Sequence, residues 1–157
     1  MKVSEHSYSI IPMQRTSISE FLCQLRPEDL NELHASGWML ENLRSSLTKV
    51  IGVPAYATKE LRHSATGRLL AVGGVIPRDD GTGAPWFLCT VYAKDYPITL
   101  LRALKEEAKA AKAAYTHLHN RYWVPNTMHG VLIRKLGFTT SQEVDPSGFA
   151  AFWWEED

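Results

Sequence analysis

The side chains in this sequence that are capable of chemistry are few and scattered. His117 and His119 stand two apart in a strand-like segment, which puts both rings on one face. That spacing can grip a metal ion, yet zinc asks for three or four ligands and a supporting outer shell. His129, on the helix that follows, is the one further histidine placed to approach. No metal is assigned, and the pair reads as two partly buried histidines. Cys89 lies inside the apolar run WFLCTVYA, where a thiol keeps a high pKa and is inert. A serine or cysteine nucleophile needs a base held by an orienting acid, and there is no GxSxG elbow to present one. Gly81-x-Gly83 follows two aspartates and leads into a strand, whereas phosphate cradles open a helix. It reads as a hairpin turn. No catalytic residue is assigned.

These residues must be positioned by an alternation of helices and strands. Tyr8 to Met13 reads as a short strand or an arm. Ser17 and Ser19 are N-cap candidates for a helix carrying Phe21, Leu22 and Leu25, and Pro27 opens a second one with Glu28 and Asp29 in its first turn. Gly37 is a natural stop, and Leu40, Leu43, Leu47 and Ile51 make the stripe of a third helix. The period then changes. Ala55 to Leu61 and Arg68 to Ile76 read as strands, with turn chemistry from Pro77 to Pro85. Trp86 to Ala93 has almost no polar face and reads as a central, buried strand.

The longest helix is predicted from Ile98 to Tyr115, with Leu101, Leu104, Ala108, Ala111 and Tyr115 inward and a Lys/Arg/Glu face solvated. A strand from Thr116 to Val124, a helix and two strands, Phe138 to Val144 and Phe149 to Glu155, complete the chain. Trp153 and Trp154 point to opposite faces of the last strand, and both are expected to be buried. The order implies a single α/β domain, a mixed sheet flanked by helices.

Composition narrows the function. At 157 residues, with 45% apolar and 22% charged residues, the chain reads as an ordinary soluble globular protein. Lys plus Arg number 17 and so do Asp plus Glu, so no overall field draws nucleic acid or an anionic membrane. Cys23 and Cys89 form no CxxC and read as reduced, buried thiols in a cytoplasm. No apolar run approaches the roughly 18 residues of a membrane span, and the N-terminus is unlike a signal peptide.

The stretch from Asn126 to Phe138, NTMHGVLIRKLGF, resembles the closing element of the GNAT acyltransferase fold, N-x-x-A-x-x-x-Y-x-x-x-G-F. Asn126, Gly137 and Phe138 match that pattern. His129 stands in place of the small residue, and Ile133 in place of the tyrosine that serves many members as general acid. The resemblance implies a mixed, mostly antiparallel sheet. It also implies a pyrophosphate loop, R/Q-x-x-G-x-G/A, where this chain has Tyr92 to Leu101, YAKDYPITLL. That segment holds no glycine, Pro97 lacks one amide, and Asp95 adds negative charge. Each lost charge-assisted bond to an anion is worth roughly 1.5–3 kcal/mol.

Over a longer span, LRPEDLNELHASGWMLENLRSSL, RLLAVGGVIP and YTHLHNRYWVPNTMHGVLIRKLGF resemble a family from tailed phages, GNAT-like proteins also known as internal virion protein A. That resemblance implies a protein of the host cytoplasm or the virion, bound to phage structural proteins or a host protein. With a degenerate acyl-CoA site it would act by binding in particle assembly or genome ejection, with no cofactor. The alternatives are an active acetyl-CoA-dependent N-acetyltransferase of a host or phage amine, and an inhibitor of a host factor. If the protein is an enzyme, the resemblance puts cofactor contacts at the backbone of Val91, Tyr92 and Ala93 and at Asn126, with water, Tyr92 or Tyr122 relaying the proton.

Overall fold

A computed structural model describes residues 6–157. Its strands are β1 (Tyr8–Pro12), β2 (Lys59–His63), β3 (Leu69–Pro77), β4 (Gly83–Cys89), β5 (His117–Trp123), β6 (Thr139–Val144) and β7 (Phe149–Glu155). Its helices are α1 (Ser17–Gln24), α2 (Pro27–Ala35), α3 (Leu40–Val50), α4 (Pro97–Ala114) and α5 (Thr127–Lys135). The strands form one sheet in the order β1-β2-β3-β4-β5-β7-β6. Every pairing is antiparallel except β4 with β5, which the crossover through α4 makes parallel. The expected mixed, mostly antiparallel sheet flanked by helices is the one observed.

The strand pattern puts apolar residues on both faces, so both are covered. On one face Phe21, Leu43 and Leu47 of α1 and α3 pack on Leu69, Val72 and Leu88. On the other, Leu100 and Ala103 of α4 and Leu132 of α5 meet Leu61, Ala71 and Cys89, and Ile133 and Leu136 join Leu118 and Phe152. Phe21, Leu69 and Leu118 are fully buried, and each such side chain contributes about 1.5–3 kcal/mol. Among the described residues no helix is long and apolar enough to cross a membrane.

Three strand boundaries differ from expectation: β4 starts at Gly83 rather than Trp86, its first three residues already paired with β3, and two others have local causes. The strand expected from Ala55 begins at Lys59, because Pro54–Tyr56 is a short 3-10 turn that ends on Ala57 with φ 46°. The central strand stops at Cys89 rather than Ala93. The Thr90 hydroxyl donates to Leu69 O at 2.6 Å, and the Ala93 amide returns to Thr90 O, winding Ala93–Asp95 into a 3-10 turn. An apolar run buried on both sides has no period to mark such an end. Burial also departs from expectation at two places: Cys23 is exposed, and Trp153 and Trp154 are each only half-buried.

Candidate active site

β4 and β5 are paired at a single register, Gly83 with Leu118, and diverge beyond it. Their C-terminal ends therefore leave a wedge open in the middle of the sheet. Cys89 sends both its backbone polar groups into that wedge: its amide donates to Asp29 Oδ2, and its carbonyl accepts from the Arg26 amide. By the two-residue period of a strand, the amide and carbonyl of Phe87 face the same way. Asn120, across the wedge on β5, donates from Nδ2 to Pro85 O at 3.0 Å.

The chain closes the top of the wedge with a buried polar cluster. Arg26, just before α2, donates to Asp29 Oδ1 from Nη2 at 2.7 Å and also to Asn126 Oδ1. Asn126 Nδ2 donates to Asp29 Oδ1 at 3.0 Å and to Glu32 Oε1 at 2.8 Å. His129 Nδ1 lies 3.1 Å from Glu32 Oε1. Its Nε2 lies 3.3 Å from Asp29 Oδ2, an ion pair rather than a directed hydrogen bond. Asp29, Asn126 and His129 are all buried.

Burial alone would raise the Asp29 pKa. The close ion-pair contact of His129, the Cys89 amide and Arg26 outweigh it and hold the carboxyl at about 2. Burial pulls His129 down, but contacts with Asp29, Cys89 and Glu32 carry it well above its ordinary value. His129 is thus a cation at neutral pH and unfit as a general base. Burial pushes the Cys89 thiol up, more than His129 offsets. Ligand atoms of Asp29, Cys89 and His129 do lie within 4.8 Å of one another. With Arg26 on the same carboxylate and the thiol protonated, the group works as an ion-pair clamp joining α2 to β4 and α5.

The sequence-assigned residues fall around this wedge, with their polar groups engaged inside the chain. The Val91 amide donates to Gln24 O at 2.8 Å, Tyr92 to Thr90 Oγ1 at 3.3 Å and Ala93 to Thr90 O at 3.2 Å. Asn126 spends its side chain on the clamp. Tyr92 packs beneath the guanidinium of Arg68, 4.4 Å from the ring centre. Tyr122 is buried and lines a cavity of about 1020 Å³ that passes the wedge. The wall of this cavity comes from both faces of the sheet: Phe87, Ala108 and Ile133 on the α4 and α5 side, Trp38, Val50 and Tyr56 on the other.

The rings of His117 and His119 lie tilted, 4.9 Å apart, and bond elsewhere, His119 to Thr82 Oγ1 at 3.0 Å, while His129 belongs to the clamp. Sequence reading missed Arg26, Asp29 and Glu32. Their signal was the i, i+3 spacing of an acid pair facing a lone arginine, but Asp29 was read only as a first-turn acid suited to the helix dipole.

The start of α4 tests whether an acyl-CoA diphosphate fits. Helix N-termini carry unpaired amides and a positive dipole end, which suit anions. α4 has no side-chain cap and no acid in its first turn. The Thr99 hydroxyl in that turn is buried without a hydrogen-bond partner. Pro97 occupies the first helical position, where its ring is preorganised for the helix and the amides that follow remain. The residues present fit an anion here without a glycine.

No protein-family model matches this sequence, and no curated protein matches it. Solved structures do. Spermidine N-acetyltransferase from Vibrio cholerae, in complex with CoA and spermine, superposes with TM-score 0.72 over 95% of each chain at 8% identity. Ribosomal-protein-S5-alanine acetyltransferase from Vibrio fischeri gives 0.69 over 100% of this chain and 96% of that one at 12% identity. An aminoglycoside acetyltransferase in complex with coenzyme A gives 0.64 over 95% of each at 13%.

The fold is that of the GNAT acetyltransferases.

Identities this low speak to the fold alone. Two of these GNAT structures hold coenzyme A, which overturns the expectation that this chain takes no cofactor. That expectation rested on the missing glycine, on Pro97 and on Asp95; the uncapped start of α4 supplies amides and a dipole without a glycine, and Asp95 lies before the helix rather than in its first turn.

Proposed function

We propose that this protein is an acyl-CoA-dependent N-acyltransferase acting on an amine of a host or phage molecule, with acetyl-CoA the first donor to test. The observation that carries the reading is the wedge between β4 and β5, with one cavity walled from both faces of the sheet. Transfer requires donor and acceptor to meet at one carbon, and an opening through the sheet lets them arrive from opposite sides. Binding within a phage particle, or to a host factor, needs no such opening.

When bound, an acyl-CoA supplies a thioester carbonyl at which the amine forms a C–N bond as the C–S bond breaks, its proton passing to the departing thiolate. The chain's contribution is placement. The uncapped turn at Ile98 and Thr99 would hold the diphosphate, and the Phe87 backbone would pair with the donor's amide groups. Of the phenols lining the cavity, Tyr56, Tyr115 and Tyr122, it is Tyr122 on β5 at the wedge that would carry the proton, which Ile133 cannot do. His129, Asp29 and Arg26 keep the wedge at fixed width.

The test is release of free thiol from acetyl-CoA in the presence of a panel of amines, polyamines and peptides, and of host lysate. Turnover with any of them supports the reading. Silence across panel and lysate, with no binding of coenzyme A, defeats it.

A further inference from the structure

Resting on that acyltransferase reading, we propose that the acyl group transferred is a long apolar chain, lodged between α4 and the sheet. The inward stripe of α4 packs on a buried cluster that includes Val75, Leu118 and Phe152, and it also lines an open groove. Leu104, Ala108 and Ala111, which the helical period assigns to the core, are only half-buried, and so are Phe87 and Tyr115. All five line the cavity of about 1020 Å³. At 108 and 111 the helix presents only a methyl group to the groove.

The stripe is continuous with the wedge. α4 starts where β4 ends and runs back along it, so its last turns lie over the start of β4. There a Cβ on Gly83 would come within 3.1 Å of Tyr115. A chain that enters beside Phe87 therefore runs on along the alanine stripe in the direction a thioester's acyl tail would point. The charged side chains that line the cavity are paired: Lys59 with Glu107 at 3.1 Å, Glu60 with Arg62, His129 with Glu32 and Arg121 with Asp145.

Volume decides between a short and a long acyl group. An apolar cavity of about 150 Å³ already accepts a benzene ring, whereas acetyl has three heavy atoms. The groove is open to solvent and spans both faces of the sheet, so part of it is left to the donor's arm and the acceptor; the apolar stretch along Leu104, Ala108 and Ala111 is the part beyond the wedge.

Titration calorimetry on the full chain with dodecanoyl-CoA (below its micelle concentration), acetyl-CoA and coenzyme A tests the proposal without turnover. Dodecanoyl-CoA is expected to bind at least about tenfold tighter than acetyl-CoA, the gain from burying only a few methylenes. Ala108→Trp should shrink that ratio below about threefold; Ala111→Leu, a smaller change, should shrink it part-way and serves if the first variant does not fold. Equal affinities for the two thioesters, or a ratio unmoved in both variants, overturn the proposal while the acyltransferase reading stands. If none of the three compounds binds, the reading fails and the proposal with it.

Discussion

At the scale of single residues the clamp of Arg26, Asp29, Glu32, Asn126 and His129 makes stability depend on pH in both directions. Asp29 titrates at about 2 in the fold against an ordinary 3.8. A depressed acid stabilises above its unfolded pKa, and that contribution is lost as pH falls through the folded value. His129 is raised above its ordinary 6.5. Its stabilisation is complete below that value and is lost as pH climbs through the folded one. Urea unfolding across pH should therefore give a plateau from about pH 4.5 to 6.5 with a falling limb on each side. His129→Gln should flatten the alkaline limb and cost about 1.5–3 kcal/mol, the loss of a charged partner from carboxylates that keep Arg26 and Asn126. An alkaline limb of unchanged slope in that variant would show that His129 is not its source. Tyr122→Phe removes the phenol from the cavity wall with little change of volume. Thiol-release kinetics should show kcat lower by about 10²-fold with KM nearly constant, the signature of a lost proton relay.

At the scale of elements, each of two helices is fixed by how it ends. α5 stops because Gly137 takes φ 90°, a left-handed conformation open to glycine at little cost. Lys112 of α4 reaches across to donate to Leu136 O at 2.7 Å, capping the same end. A Cβ at position 137 would also press on Lys112 Nζ, at 2.9 Å. Gly137→Ala should lower the free energy of unfolding by about 1–2 kcal/mol with the urea m-value unchanged. α1 is tied to the sheet by Glu60, buried on β2. Its Oε1 accepts from Ser17 Oγ at 2.7 Å and its Oε2 from Arg62 Nε at 2.7 Å. Arg62→Met leaves that carboxylate without its cation, and a loss of about 3–5 kcal/mol is expected in chemical denaturation.

At the scale of the molecule the wedge is a fault line that a ligand should seal. A compound that binds only the folded state adds about 2.7 kcal/mol at a hundred times its Kd. Coenzyme A is expected to raise Tm in step with its concentration. It should slow amide exchange at Phe87 and in the first turn of α4 more than elsewhere. Protection confined to β6 and β7, or a Tm indifferent to coenzyme A, would move the site away from the wedge.

The order of elements, the interior position of β4 and the closing stop at Gly137 were legible in the sequence, because hydrophobic period, proline and glycine act on neighbours along the chain. The strand run through Val91 was not legible to its end, since a segment buried on both faces carries no alternation. The clamp was hidden for a different reason. Asp29 looked like any first-turn acid until folding brought His129, 100 positions later, against it, and burial decides whether such a carboxylate is solvated or locked. The wedge itself depends on where β4 and β5 cease to pair, and the cavity on how α4 sits against the sheet. Those are distances between elements remote in sequence, which residue types alone leave open and packing in three dimensions settles.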